Sequence, residues 1–261
     1  MSGGRLGGIG AVIVLVIALF TGIDVSQLLG PVTSTTAPAD QQASSAPTDP
    51  QADFVSVILA DTEDTWTKLL SGSGRAYEPP RLVLFSNATR SACGVGQAAM
   101  GPFYCPMDKR VYIDLAFFRQ LASGFGAPGD FAQAYVVAHE VGHHVQHLLG
   151  LDERVRQAQS RASPQGANAL QVRMELQADC FAGVWAYYAD RHRNLLEPGD
   201  IEEGLRAAAA IGDDTLQRRG QGHVTPESWT HGSAAQRTHW FKVGLSTGKV
   251  ASCDTFKDAG R

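Results

Sequence analysis

An uncharged, strongly apolar segment lies near the N-terminus, so a folded domain is expected only after it. No charged residue occurs between Leu6 and Ile23, and residues 9–20 are almost wholly apolar. At about 1.5 Å per residue, the segment would span roughly 27 Å as a helix, close to the roughly 30 Å hydrocarbon core of a bilayer. We therefore predict an N-terminal membrane anchor over residues 1–23, with a cleaved signal peptide as the alternative.

The segment after the predicted anchor is expected to be a flexible linker, residues 24–53. It is rich in Pro, Ser, Thr, Ala and Gln, a composition that cannot bury enough apolar surface to fold. Arg5 before the apolar segment and Asp24 after it favour an N-terminus inside the cell. One domain, residues 54–261, would then lie outside the cytoplasm, held at the cell membrane by a single-pass anchor.

The charge balance argues against nucleic acid as a partner. The 261 residues contain 22 Lys and Arg against 26 Asp and Glu, for a net charge of −4. An electrostatic DNA or RNA binder needs a basic excess instead. Since 44% of the residues are hydrophobic, the chain can bury a substantial core and is not a disordered protein.

The predicted fold class of the domain is α+β, mostly helical in its second half. After a helix at 53–70, strands at 81–85 and 110–114 would pair in a small sheet. A loop at 91–106 would connect them. Helical spacing of apolar residues then dominates, and it predicts helices at 130–149, about 167–191, 200–211 and 234–243.

One predicted helix carries the pattern His-Glu-x-x-His. His139 and His143 are four residues apart and share a helical face, so both imidazoles can bind one zinc ion while Glu140 projects beside them. The alternative is a solvated helix face that happens to be rich in histidine. Because the neighbouring residues 136–138 and Val141 are apolar, the sequence favours a buried metal site.

The third metal ligand is expected from the helix at about 167–191. A metzincin would need Gly at position 146 and His at position 149, but the chain has Gln146 and Leu149. Glu175 and Asp179, four residues apart, could supply one carboxylate to the metal and one to the outer N–H of a ligating histidine. The alternative, a solvated acidic pair, is disfavoured by apolar neighbours. Two imidazoles and one carboxylate suit a single Zn²⁺ per chain.

Several short motifs follow one another along the predicted domain. They are Ala92-Cys93-Gly94, Ala99–Pro106, Val111–Asp114, Ala138–Gln146, Glu175–Trp185, Thr230–Ser233, Gln236-Arg237 and Trp240-Phe241. Their order resembles the bacterial neutral zinc metallopeptidase family. The resemblance implies a membrane-anchored, gluzincin-like peptidase with a mostly helical zincin-like domain and a small β-sheet. It implies His139, His143 and Glu175 as zinc ligands and Glu140 as the catalytic residue.

The expected reaction is hydrolysis of a peptide bond in a peptide or protein substrate. Glu140 would take a proton from the metal-activated water and return it to the leaving amine. His231, in a Gly-containing turn, is the candidate donor to the developing oxyanion, with His223 and Arg237 as alternatives. Two other functions stay open. One is a zinc amidase acting on cell-wall peptides, and the other is a non-catalytic, zinc-stabilised module that binds an envelope protein.

Four cysteines allow three disulfide pairings. We favour Cys93 with Cys105, which would close a short glycine-bearing loop, and Cys180 with Cys253, which would tie the predicted zinc-site helix to the C-terminal tail. Two disulfides would suit an oxidising compartment outside the cytoplasm. A nucleophilic Cys180 is the alternative, although the adjacent Asp179 would raise the pKa of its thiol.

Overall fold

The computed structural model of the chain describes residues 49–97 and 101–257. The predicted anchor and the linker up to residue 48 lie outside the described residues. Within those ranges, no helix is both long and apolar enough to cross a membrane. The first helix begins at Pro50 instead of at 53, because the Asp49 carboxylate accepts a hydrogen bond from the Gln51 N–H at 2.9 Å and caps the helix there.

Helices make up most of the described residues. They are α1 (Pro50–Ser71), α2 (Leu115–Ser123), α3 (Asp130–Leu148), α4 (Leu151–Gln159), α5 (Pro164–Arg193), α6 (Asp200–Ala210), α7 (Asp213–Gln221) and α8 (Ala234–Thr247). All five predicted helices are present. The additional helices α2, α4 and α7 have 9 residues each, too few for apolar spacing to reveal them.

The helix α5 is longer than predicted at both ends. Its N-terminus is set by Ser163, whose hydroxyl accepts a hydrogen bond from the Gly166 N–H at 3.2 Å, and by Pro164 in the first turn. Its C-terminus is set by Asn194, which adopts a left-handed conformation with φ of 52°. The helix therefore has 30 residues, and its buried residues lie between Met174 and Ala189.

The strands form a three-stranded sheet and a separate hairpin. They are β1 (Arg81–Phe85), β2 (Ala88–Ser91), β3 (Gly94–Gln97), β4 (Phe103–Cys105) and β5 (Arg110–Asp114). The sheet has the order β1-β5-β4, with β5 parallel to β1 and antiparallel to β4, and β2 pairs with β3. Both predicted strands are confirmed. The predicted loop at 91–106 is wrong in part, because β3 and β4 lie inside it and depend on their partners for stability.

Both favoured disulfides are present in the structure. Cys93–Cys105 joins the turn between β2 and β3 to the end of β4. Cys180–Cys253 joins α5 to a short 3₁₀ turn, Val250–Cys253, that follows α8. No cysteine is free, so the alternative of a nucleophilic Cys180 does not hold.

Helices α3, α5 and α8 pack at unusually short range in the core. A Cβ atom at Gly142 of α3 would lie 3.0 Å from the carbonyl oxygen of Ala178 in α5. Between α5 and α8 the backbones are closer still. A Cβ atom at Gly183 would lie 2.8 Å from the Leu245 nitrogen, and one at Gly244 would lie 2.7 Å from the Val184 nitrogen. This close packing brings side chains of the three helices within hydrogen-bonding distance of one another.

Candidate metal centre

One face of α3 presents His139, Glu140 and His143 to the interior. His139 and Glu140 are each only 7% exposed, and His143 is partly buried. Because the two histidines lie one helical turn apart, their rings project from the same side of the helix. Their ring centroids are 4.8 Å apart.

Glu175 on α5 meets both imidazoles. Its Oε2 atom lies 3.2 Å from Nε2 of His139 and 3.4 Å from Nε2 of His143. The close contact between Gly142 and Ala178 allows this approach, because Gly142 has no side chain and the facing side chain of Ala178 is a single methyl group. The structure therefore brings the three predicted ligands together from two separate helices.

The donor set fits a zinc ion. One ligand atom from each of His139, His143 and Glu175 lies within 4.8 Å of the other two. Neutral imidazole and carboxylate are ligands that Zn²⁺ accepts, and three protein ligands are typical of catalytic zinc sites with an open fourth position. A buried carboxylate facing two ring nitrogens would also be costly unless a cation or protons compensated its charge.

Asp179, the carboxylate expected to accept from the outer N–H of a ligating histidine, lies against His139. Its Oδ1 atom accepts a hydrogen bond from Nδ1 of His139 at 2.9 Å, which leaves Nε2 to face the metal position. Sequence reasoning missed the partners of Asp179. Arg237 of α8 donates to both carboxylate oxygens at 2.9 Å, and the Tyr135 hydroxyl donates to Oδ1 at 2.5 Å. Arg237 is thus held in a buried ion pair, which makes it a poor alternative to His231.

The other two ligands have glutamine partners that sequence reasoning also missed. The Nδ1 atom of His143 lies 2.8 Å from Oε1 of Gln146, and Gln171 donates to Oε1 of Glu175 at 2.8 Å. Gln146 is three residues after His143, and Gln171 is four residues before Glu175. Since i±3 and i±4 neighbours share a helical face, this spacing from a ligand is the feature that could have identified them.

The electrostatics of the site follow from burial and from these pairs. Burial tends to raise the pKa of Asp179, but Arg237 and His139 outweigh it and lower the pKa to about 2. Burial tends to lower the pKa of His139, whereas Asp179 and Glu175 raise it to about 9. Burial raises the pKa of Glu140, and the two histidines offset this effect only in part. A metal that binds here must displace protons from imidazole nitrogens.

His231 lies in a loop that Asp213 organises. One oxygen of Asp213, Oδ2, accepts hydrogen bonds from the backbone N–H groups of Thr230, His231 and Gly232 at 2.8, 2.6 and 2.9 Å. The other oxygen lies 3.4 Å from Nδ1 of His231. Burial tends to lower the pKa of His231, but Asp213 and the nearby charge of Glu175 raise it. The charge of Glu175, a predicted metal ligand, therefore acts on the His231 side chain.

The remaining histidines near the sequence motif have other contacts. His144 is buried, with Nδ1 at 2.9 Å from the Tyr104 hydroxyl and Nε2 at 2.6 Å from the Glu78 carbonyl oxygen. His223, an alternative oxyanion donor, is exposed, and its Nδ1 atom lies 3.1 Å from the carbonyl oxygen of Gln221. Neither histidine is therefore a better candidate than His231 for the oxyanion donor.

Comparison with known proteins places the chain in a family. Two imidazoles and a carboxylate on paired helices form a group that could hold a metal ion, and the sequence profile of the family described as "Putative neutral zinc metallopeptidase" matches residues 1–256. The chain belongs to this family. It is 50% identical over 254 residues to the Escherichia coli K12 protein named "Uncharacterized protein YpfJ", covering 96% of this chain and 86% of that protein.

A second relative comes from Mycobacterium tuberculosis H37Rv. The protein named "Uncharacterized protein Rv2575" is 50% identical over 204 residues, covering 74% of this chain and 67% of that protein. No solved structure matches the chain. The comparisons therefore support zinc peptidase chemistry at the level of the family, and the roles of single residues depend on the geometry of the site.

Proposed function

We propose that the protein is a zinc-dependent peptidase in which Glu140 is the general base. The observation that carries this proposal is the difference between Glu140 and the other two buried carboxylates. Glu175 and Asp179 accept hydrogen bonds from neighbouring side chains, whereas no described residue donates one to the Glu140 carboxylate. Glu140 is therefore the carboxylate that remains available to a water or a substrate.

The ligand count favours an enzyme over a structural zinc module. Structural zinc sites close with a fourth protein ligand, usually cysteine or histidine. Here all four cysteines are in disulfides. The described residues contain two groups that could hold an ion; the one with the two histidines consists of His139, His143 and Glu175, and the other, Asp130, Asp200 and Glu203, has no histidine and is not buried. A fourth coordination position would remain open to a water or a substrate.

The chain's own residues have distinct roles in the proposed reaction. Zinc, when bound, would supply a Lewis acid that polarises the substrate carbonyl and acidifies water. Glu140 accepts the proton of the attacking water at its carboxylate and passes it to the leaving amine. His231 donates a hydrogen bond to the developing oxyanion. Asp179 and Arg237 hold His139 in the tautomer with Nε2 free.

We extend the proposal to the location of the domain, residues 54–261. Residues 1–23 would anchor the chain in the cell membrane, and the domain would face an extracytoplasmic compartment. Residues 24–53 would act as the linker, except that its last four residues, 50–53, already belong to α1. Two disulfides support this assignment, because such bonds persist in oxidising compartments. Release of the chain from membranes by alkaline extraction would contradict the anchor.

Glu140→Gln is expected to abolish peptidase activity without loss of zinc. The amide cannot accept the proton, so turnover should fall by about 100-fold to 10,000-fold, while all three ligands are kept. The measurement is cleavage of a peptide library by the zinc-loaded, full-length protein, together with metal content by elemental analysis. Glu202→Gln, which removes a carboxylate from an exposed position of α6, is the matched control and should cleave like the wild type.

The outcomes of this experiment separate the candidate functions. Cleavage of general peptides that depends on Glu140 supports the peptidase. Cleavage confined to cell-wall peptides would favour the amidase instead. One zinc per chain without any cleavage, in wild type and variant alike, would favour the binding module.

His231→Ala is expected to lower turnover by about 100-fold to 1,000-fold, the loss that follows removal of one oxyanion donor in other hydrolases. Zinc content should stay at the wild-type level, because His231 is not among the three grouped ligands. The same cleavage assay measures this effect. His223→Ala removes an exposed histidine from a neighbouring loop and serves as the control. Equal turnover in the two variants would remove His231 from the mechanism.

A further inference from the structure

The outer nitrogen of His143 begins a chain of hydrogen bonds that leads out of the metal centre. Nδ1 of His143 lies 2.8 Å from Oε1 of Gln146, and Nε2 of Gln146 lies 3.1 Å from Oε1 of Gln177. Nε2 of Gln177 then lies 2.9 Å from the backbone carbonyl oxygen of Cys253. Gln146 and Gln177 are 0% and 5% exposed, so bulk water does not compete for these bonds.

Backbone carbonyl groups set the direction of this chain. A carbonyl oxygen can only accept a hydrogen bond, so the atom of Gln177 that faces Cys253 must be the amide nitrogen. Gln177 therefore presents its oxygen to Gln146. The Gln146 nitrogen also lies 2.8 Å from the carbonyl oxygen of Met174, so two acceptors require the same orientation. The oxygen of Gln146 must then face His143, and Nδ1 of His143 must be the donor.

The C-terminal segment that ends this chain is firmly attached to α5. The Cys253 carbonyl belongs to a residue that is disulfide-bonded to Cys180, three positions after Gln177 on α5. The Thr255 hydroxyl donates to the carbonyl oxygen of Arg173 at 2.7 Å. The acceptor at the end of the chain is therefore held in place from both sides along the same helix.

We propose that Gln146 and Gln177 are positioning residues for His143, and that the C-terminal segment 250–257 acts through them to hold His143 in the tautomer with Nε2 free for the metal. This inference rests on the metal site proposed above. In a neutral imidazole, one nitrogen carries the proton and the other binds the metal. Without a fixed acceptor opposite Nδ1, the proton would be shared with Nε2, and the metal would have to displace it.

Gln146→Met tests the proposal, because methionine fills similar space but offers no acceptor opposite Nδ1 of His143. Zinc affinity of the full-length protein, measured by competition with a chromophoric chelator, is expected to fall about 10-fold to 100-fold, the usual cost of losing a partner of a metal ligand. Long-range ¹H–¹⁵N spectra of the metal-free protein, at a pH high enough to make the ring neutral, should show Nδ1–H in the wild type and a mixture of tautomers in the variant.

One control separates this role from a general loss of packing. Gln133→Met makes the same substitution elsewhere on α3, where the Gln133 side chain accepts a hydrogen bond from Gln51 at 3.2 Å. It should keep wild-type zinc affinity and the Nδ1–H tautomer. A folded Gln146→Met protein with unchanged affinity and tautomer would overturn the proposal, and so would an equal loss in Gln133→Met.

Two further variants keep the test valid if Gln146→Met does not fold. Gln146→Glu retains an acceptor opposite Nδ1 and should keep the wild-type tautomer, and the same tautomer in Gln146→Glu and Gln146→Met would overturn the proposal. Gln177→Met breaks the link to Cys253 but leaves the Met174 carbonyl oxygen to orient Gln146, so it should keep the tautomer and lose less zinc affinity than Gln146→Met. An affinity of Gln177→Met equal to that of Gln133→Met would remove the C-terminal segment from the proposal. A wild-type protein that binds no zinc would contradict the proposed function instead, while the tautomer spectra of the metal-free protein would still test the glutamine chain.

Discussion

Gly244→Ala is expected to destabilise the protein by about 3 kcal/mol or more, at the upper end of what overpacking a core costs. A Cβ atom at this position would overlap the carbonyl oxygen of Cys180 and lie 2.7 Å from the Val184 nitrogen. Both are backbone atoms of α5, so no side-chain rotation can relieve the contact. The two helices would have to separate, which would also strain the Arg237–Asp179 ion pair between them.

The measurement is the urea midpoint of unfolding for Gly244→Ala beside a matched glycine variant. Gly72→Ala is the control, because a Cβ there would lie 3.5 Å from the nearest atom, an ordinary contact, and the position is exposed. We expect it to change the free energy of unfolding by less than about 0.5 kcal/mol. Equal midpoints for the two variants would show that α5 and α8 are not packed backbone to backbone.

Glu175→Ala is expected to weaken zinc binding by more than 100-fold. Even the indirect partners of metal ligands contribute about 10-fold to 100-fold in affinity, and Glu175 would supply a ligand atom directly. The variant should still fold, because the site would lose a buried carboxylate and could leave its two histidines neutral. Elemental analysis gives the zinc content, and competition with a chelator gives the affinity.

The matched control for this variant is Glu202→Ala, which removes an exposed glutamate from α6. It should keep one zinc per chain at wild-type affinity. If Glu175→Ala also retained wild-type affinity, the third ligand would have to come from elsewhere, and the proposed His2Glu site would be wrong. Loss of zinc in both variants would point to a site outside α3 and α5.

The residues nearest the proposed chemistry were predictable because their spacing is local. His139, Glu140 and His143 lie within five consecutive positions, and a helix places residues four apart on one face whatever surrounds it. The pair Glu175 and Asp179 has the same property on a second helix. The sequence therefore predicted the two parts of the site separately, and each part lies on one face of one helix.

The residues that complete the site were not predictable in the same way. The spacing of residues in the sequence does not tell whether Arg237 is an exposed cation, an oxyanion donor or part of an ion pair. Arg237 is the partner of Asp179 because α8 packs on α5. The hydrogen-bond chain through Gln177 needs a carbonyl 76 residues further along. Contacts between distant residues depend on how the helices pack, which no local periodicity encodes.

The same distinction holds for the fold. Apolar spacing and the Pro and Ser residues at helix starts determined the long helices and the two main strands of this protein. Tertiary structure decided the rest. The strands β3 and β4 exist because they have partners, and α3, α5 and α8 meet closely because Gly142, Gly183 and Gly244 lie where their axes cross. A glycine in the sequence permits such a crossing, but only the packed chain shows which backbone lies against it.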